Sequence, residues 1–570
     1  MSTLAAPVYL DYAATTPVDP EVAQAMAACL TASGVFGNPA SSTHAYGREA
    51  AARVEAARVE VAALIDAPPA TIVFTSGATE ADNLAVLGIA RGLADRGRHL
   101  VTLRTEHKAV LDPCRRLEKE GFEVSWLEPD RDGRLDPEAL RAVLRPDTVL
   151  VSVMHANNEI GVLQDLPALG ALCRERGVLL HSDAAQSAAR IPISVSALGV
   201  DLLSLSAHKL YGPKGVGALY VGPAARAWLQ PLTWGGGHER GLRPGTPATH
   251  QLVGFGTAAR LQRARREEEG AHLARLGRRL EAALAATPGV AFNGHRQHRL
   301  PGLVSVSFAD VEGESLVAGL PDLALSNGAA CDSATGEPSF VMRALGRPPE
   351  LAQATLRLSL GRFTTEAEVD AAAEQIDREV RRLSAIAPRA AAIPGPSLGP
   401  PRSVGSHTRA RTAGGPAAPA AEPRSAGGVD WRVPDSRPPW SPEVWRLFRE
   451  LPDAGAPEPG SGAWVQGWAG SRREGAELVF HLQFDADGIV SDVRYQAFGC
   501  PHTLAAAAWV AGRLRGRAST QLVPGTPLEW AEALEVPAPK LGRLLQIEDA
   551  LRAVARRRRP DPLRTARDAT

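Results

Sequence analysis

Between residues 387 and 429 the chain loses the means to build a core: 30 of these 43 positions are Ala, Pro, Gly or Ser, and a single acid, Glu422, faces five arginines. Such a stretch cannot bury enough apolar surface to offset its ordering entropy, and as a flexible coil it spans roughly 40 Å. It therefore divides the 570 residues into separate modules, and the composition changes across it: seven of ten tryptophans lie beyond it and all four methionines before it. Basic and acidic residues balance at 63 each, so no global field is available to hold nucleic acid or an anionic membrane. No apolar run approaches the 18 or so residues of a spanning helix, and the opening MSTLAAPVYLDYAATTP lacks the basic start and apolar region of a signal peptide. A cytoplasmic protein with no membrane partner and no direct nucleic-acid contact is expected. Five cysteines, Cys29, Cys114, Cys173, Cys331 and Cys500, are odd in number and never form C-x-x-C, which argues against a disulfide framework and a zinc ribbon. No metal site is expected.

Before the break, apolar β-rich runs alternate with helical stretches. Residues 71–76, 99–105, 122–128, 148–155, 178–183, 201–207 and 217–222 read as strands, with helices at 79–95, 108–120, 136–144 and 166–176. Apolar strands spaced by helices predict an α/β fold, a mostly parallel sheet covered on both faces, with ligands outside the carboxyl ends of its strands. Polar residues fall at those ends. Ser76-Gly77-Ala78-Thr79 opens a helix whose free N–H groups suit a phosphate, although Ser and Thr there also serve as ordinary caps. Ser206-Ala207-His208-Lys209 ends another strand, placing an amine to attack a carbonyl. Asp183 ends a third and needs a cationic partner such as a pyridinium nitrogen. His107 could stack on a flat ring, while Asn157, Asn158 and Gln186 could orient one. Each alone reads as a cap, a solvated group or a structural histidine. Together they describe pyridoxal phosphate bound at the ends of one sheet.

These residues stand in YLDYAATTP (9–17), FGNPASSTHAYG (36–47), FTSGATEADN (74–83), TEHKAVLDPC (105–114), HANNEIG (155–161), HSDAAQ (181–186), SAHKLYGPKGVGALY (206–220), GGGHERGLRPGT (235–246), SNGAACDSA (326–334) and LRLSLGRFTT (356–365). Over about residues 8–386 the chain resembles the cysteine desulfurases of the NifS/IscS type, in the aminotransferase class V group. The resemblance implies fold type I of the pyridoxal-phosphate transferases, with a large cofactor domain over 1–260 and a small domain over 261–386. It implies that Lys209 forms the Schiff base, Asp183 pairs with the ring nitrogen, His107 stacks on the ring and Gln186 bonds its oxygen. Ala78, Thr79, Ser206 and His208 hold the phosphate, and Thr246 reaches it from the second subunit of a homodimer. Asn158 and Arg357 bind the carboxylate of L-cysteine. Cys331, in a stretch of small residues, takes the sulfur as a persulfide, for an iron–sulfur scaffold or another acceptor. Cys29, Cys114 and Cys173 are assigned to packing. The alternatives are another class V enzyme, such as a selenocysteine lyase, and an assembly platform whose C-terminal module docks partners.

After a linker over 387–437, residues 438–558 show alternating strands at 478–484 and 489–497, then helices at 503–513 and 540–556, followed by a tail over 559–570. FGCPHTLAAAAWV and KLGRLLQIEDAL resemble the IscU/NifU scaffold, which implies a small α+β domain. Its ligand positions have changed: counted from Cys500, the other cluster ligands fall on Glu474, Ala476, Gly542 and Arg543. One thiolate does not hold a cluster. Cys500 is left as a possible sulfur relay, as a docking-module residue or as a packed thiol.

Overall fold

The computed structural model describes residues 7–327, 339–388 and 440–558. Cys331, the expected linker beyond Pro388 and the 559–570 tail lie outside the described residues. The chain forms two compact units, Met1–Ala385 and Ile386–Thr570.

The strands of the first unit are Val8–Tyr9 (β1), Ile72–Thr75 (β2), His99–Leu103 (β3), Glu123–Leu127 (β4), Thr148–Ser152 (β5), Leu179–Asp183 (β6), Leu202–Ser206 (β7), Gly217–Val221 (β8), Val290–Phe292 (β9), Leu303–Phe308 (β10), Leu323–Ala324 (β11) and Thr355–Ser359 (β12). The seven strands expected from the apolar runs make one sheet, ordered β2-β8-β7-β6-β5-β3-β4. β3 to β7 pair in parallel, whereas β8 runs antiparallel to both β2 and β7. Every residue of β2, β3, β5, β7 and β8 is buried, as a sheet covered on both faces requires. Alternation sorts the side chains into two cores. Val101, Leu103, Leu203 and Leu205 face one, and Leu100, Leu150, Leu202 and Leu219 the other. The covering helices carry ordinary punctuation: Asp165 caps Leu166–Arg176 by accepting from the Ala168 amide, and Gly177 ends it at φ +67°.

The helix Thr249–Leu284 leads from the large sheet to a small antiparallel one, ordered β12-β10-β9 and backed by the helix Glu366–Ile386. The N-terminal chain runs along the small layer, where β1 pairs in parallel with β11 and Asp11 bridges to Ser359, and then reaches the large sheet, where the Thr16 amide donates to the His208 carbonyl.

In the second unit Trp464–Ser471 (β13), Ala476–Phe484 (β14) and Val490–Phe498 (β15) form an antiparallel meander with the helices Pro442–Glu450, Pro501–Ala511, Pro527–Ala533 and Leu541–Arg558. The expected hairpin is present, with ends shifted by one or two residues. β13 escaped the pattern because of its glycines, and Gly467 has a steric reason. A Cβ there would lie 2.2 Å from the Ala550 carbonyl oxygen of the helix crossing over it. Among the described residues no helix is long and apolar enough to cross a membrane.

Candidate active site

The strand ends β2, β7, β6, β5 and β3 open on one edge of the large sheet. At β2 the chain passes through Ser76 and Gly77 into the helix Ala78–Gly92, whose N-cap, Gly77, offers no capping side chain. No atom stands within 4 Å of the place a Gly77 Cβ would take. Thr75 and Ser206 are both backbone partners of Gly217, on the strand between them. A Cβ on Gly217 would fall 2.6 Å from the Gly77 carbonyl carbon, so the missing side chain lets the Gly77 backbone pack directly against the strand between the two strand ends. Into this region the structure brings Ala78, Thr79, Ser206 and His208. The Ser206 hydroxyl is buried and has no hydrogen-bond partner. Uncommitted helix amides, an unpartnered buried hydroxyl and the positive helix end together suit a phosphate. His208 sits 3.1 Å from the Thr15 hydroxyl through Nδ1, and burial, with Lys209 and Lys214 nearby, pushes its ring down to about 4.

Lys209 ends the single turn Ala207–Lys209 directly after β7. Thr16 fixes this turn from outside: its amide and hydroxyl both donate to the His208 carbonyl, and its hydroxyl accepts from the Tyr211 amide. Tyr211 stands at φ +64°. On the neighbouring strand Asp183, 7% exposed, accepts from the Ala185 amide at 2.8 Å. His107 caps the helix Lys108–Lys119 by accepting the Ala109 amide at Nδ1, which puts the proton of the neutral ring on Nε2. Burial lowers its pKa, aided by Lys209 and opposed by the Asp183 carboxylate, so the three groups feel one another. A cleft of about 450 Å³ lined by Thr79, Asn83, His107 and Lys108 opens alongside. Gln186 is buried, and its amide donates to the Ala13 carbonyl at 2.8 Å.

Beneath this edge lie charged residues that the sequence pattern did not single out. Asp82 is fully buried 3.6 Å from Nε2 of His181, whose ring also contacts the hydroxyls of Ser152 and Ser204 at 2.8 and 3.0 Å. Glu106 is buried and accepts the Met154 amide at 2.7 Å. Burial, with Asp183 close by, pushes both carboxyls well above the usual range, and burial holds His181 down at about 4. A lone acid within an otherwise apolar helix face, as at Asp82, was the available sign.

A second cluster forms where the small sheet meets the N-terminal chain. Arg357, 4% exposed on β12, donates through Nη2 to Asp11 at 2.7 Å and through Nη1 to the Asn158 carbonyl at 3.0 Å. Its Nε–H is buried without a partner. Asn157 instead holds its own loop, accepting the amides of Glu159 and Ile160. Asp11 belongs to a motif singled out in the sequence but received no role there. The backbones of Arg357 and Ser326 are bonded to each other, and Ser339 donates to Glu159, so both flanks of the 328–338 segment are fastened beside this arginine. Thr246 is exposed and follows a glycine-rich arch.

The other cysteines of the first unit are packed. Cys29, Cys114 and Cys173 are buried, and burial raises the last two to about 12. In the second unit Cys500 is the N-cap of the helix Pro501–Ala511, fully buried, with Sγ 3.4 Å from the Thr503 hydroxyl. Arg543 lies against Gly475, where a Cβ would meet its Nη2 at 3.1 Å, so a guanidinium packs beside Glu474.

An α/β sheet carrying a lysine, a carboxylate and an anion cup on adjoining strand ends defines a class, and comparison with known proteins gives the same one. The family model for aminotransferase class V matches residues 8–372, and that for the NifU-like N-terminal domain matches 441–556. Cysteine desulfurase IscS of Proteus mirabilis is 54% identical over 382 residues, covering 67% of this chain and 95% of the relative. A solved NifS-like protein has a TM-score of 0.61 at 34% identity, covering 66% of this chain and 100% of its own. SspA in complex with cysteine has a TM-score of 0.56 at 35% identity, over 63% and 99%. The chain belongs to the aminotransferase class V family. Within that family it groups with the cysteine desulfurases, and it carries a NifU-like domain behind the desulfurase.

Proposed function

We propose that the first unit removes sulfur from L-cysteine, releasing L-alanine and leaving a persulfide on Cys331 for iron–sulfur cluster assembly or another sulfur acceptor, with pyridoxal 5′-phosphate as cofactor. The observation that carries this reading is the placement of Lys209, Asp183 and His107 at strand ends of one sheet edge, beside the uncapped N-terminus of the helix Ala78–Gly92 and the buried Ser206 hydroxyl. Ala78, Thr79, Ser206 and His208 would hold the phosphate, with Thr246 of a second copy, and Lys209 would anchor the cofactor covalently. Asp183 would face the ring nitrogen, His107 the ring face and Gln186 the ring oxygen. When bound, the cofactor supplies an electron sink for the bonds at the amino acid's Cα.

The residues of the chain do the rest. Arg357, held by Asp11 and the Asn158 carbonyl, keeps Nε–H as a donor for the substrate carboxylate. Its planar fork orients that carboxylate in a way a point charge does not. The Lys209 amine is placed to move the Cα proton, and neutral His107 holds a proton on Nε2. The Cys331 thiolate attacks the substrate sulfur, so that the C–S bond breaks as the S–S bond forms. The second unit docks acceptors, since Arg543 packs beside the Glu474 position, where the scaffold resemblance would put a cluster ligand.

Incubating the full-length protein with L-cysteine and a thiol reductant, and measuring alanine and sulfide, tests this. Equimolar products are expected, and none from Cys331→Ser, which should still bind cofactor and substrate. Absence of alanine from the native protein would sink the activity, and full turnover by Cys331→Ser would sink the role of that thiol.

A further inference from the structure

The arch before Thr246 is held in a conformation that side-chain-bearing residues avoid. Gly235, Gly236, Gly237, Gly241 and Gly245 all have positive φ, and among them Glu239 and Arg240 stand at +48° and +57° without being glycine. Backbone strain of this kind persists only where surrounding contacts enforce it, and it concentrates at functional places.

The enforcing contacts run to β2, to Arg58 on the helix Ala45–Leu64, and to the cup that follows β2. The Glu239 side chain, 6% exposed, accepts from Arg58 Nη1 and Nη2 at 2.7 and 2.8 Å, and from the Phe74 amide at 2.9 Å. Arg58, 5% exposed, also donates to the Ile72 carbonyl at 3.0 Å and lies 4.6 Å over the Phe74 ring. Arg240 donates to the same Ile72 carbonyl at 2.5 Å. Arg243 reaches Glu80 at 3.0 Å, and Glu80 in turn accepts the Ser76 amide at 2.6 Å. A buried ion pair of this sort adds little net stability but fixes one geometry. Three residues beyond Arg243 the arch presents Thr246.

We propose that Glu239 is a positioning residue for Thr246: by gripping Arg58 and the Phe74 amide at the root of its own cup, it sets where the arch delivers the Thr246 hydroxyl to the cofactor phosphate of a second copy. This rests on the reading above that Thr246 serves the partner's site. It also makes each cup the foundation of the other, because the strand that ends in one subunit's phosphate cup anchors the arm that completes its neighbour's.

The test uses the full-length protein stripped of cofactor, titrated with pyridoxal 5′-phosphate, together with hydrogen exchange of the 236–245 amides before any cofactor is added. Thr246→Ala and Glu239→Gln should each raise the dissociation constant about tenfold, or about 1.4 kcal/mol. The double variant should bind no worse than Thr246→Ala alone, because one residue acts through the other. Glu239→Gln alone should speed exchange across the arch about tenfold. Binding by Glu239→Gln within twofold of native, while Thr246→Ala is weakened, overturns the proposal and leaves the Thr246 reading standing. A double variant with additive losses overturns it as well, and native-like binding by Thr246→Ala overturns both. Should Glu239→Gln fail to fold by circular dichroism, Arg58→Lys, which keeps the charge and removes the fork, is scored by the same criteria.

Discussion

Replacing Ser206 by alanine should move the cofactor-free and the loaded protein in opposite directions. The Ser206 hydroxyl is buried and no protein group hydrogen-bonds to it. An orphaned buried hydroxyl costs about 1–3 kcal/mol, and alanine removes it at the expense of one small atom's packing. A net gain of about 1 kcal/mol is expected, which in a unit of this size raises Tm by about 1–2 °C. On the proposed reading the same hydroxyl would donate to the cofactor phosphate in the loaded state, and such charge-assisted bonds contribute about 1.5–3 kcal/mol. Its loss should therefore raise the cofactor Kd about 10- to 150-fold. The assay pairs thermal unfolding of stripped protein at one scan rate with titration of the same samples by pyridoxal 5′-phosphate. A lower Tm for stripped Ser206→Ala than for native protein, or an unchanged Kd, would refute the placement of this hydroxyl in the phosphate cup.

Three further outcomes are expected. Arg357→Lys keeps the charge but loses the fork that Asp11 and the Asn158 carbonyl hold, so KM for L-cysteine should rise more than tenfold while cofactor absorbance at saturation stays native; cofactor lost first would make Arg357 structural. Asp82→Asn tests the buried acid. Its unfolded carboxyl titrates near 3.9, about where the stability it contributes is fully present, and that stability is lost as pH climbs toward its raised folded value. Relative to native, the Asn variant should gain stability as pH rises above the unfolded carboxyl's range, measured by denaturant unfolding, and a flat difference would mean that Asp82 is ionised in the fold. Anaerobic reconstitution of the full chain with iron and sulfide should give no stoichiometric cluster by visible absorbance, since Arg543 packs against Gly475; a cluster would overturn that account of the second unit.

The strands of the large sheet were legible because apolar runs bounded by polar residues have few other uses, and the same boundaries marked Lys209, Asp183 and His107. The direction of β8 was not legible, because GALYV reads alike in either sense. Nor was the close approach at Gly217, since what matters there is a missing side chain that lets the Gly77 backbone in. Pairs distant in sequence were equally hidden. Arg357 meets Asp11 across 346 residues and Arg58 meets Glu239 across 181. Local pattern carries periodicity and caps, but such partnerships exist only once the sheet has closed. In the second unit WVQGWAGS hid a strand because Gly467 answers to a helix more than 80 residues away.

The reversed strand has one more consequence. Because β8 returns beside β7, the backbone of Ser206 is paired with that of Gly217, and the ten residues between them, Lys209 included, leave and re-enter the sheet at adjoining rungs. A loop whose two feet stand on one ladder has no hinge. Any travel the amine needs must come from rotation about its own methylenes, while the Cα beneath stays where the sheet puts it. Insertions between Leu210 and Val216 should accordingly be far less tolerated than insertions in the connections that join parallel neighbours, where a helix intervenes and can absorb the slack.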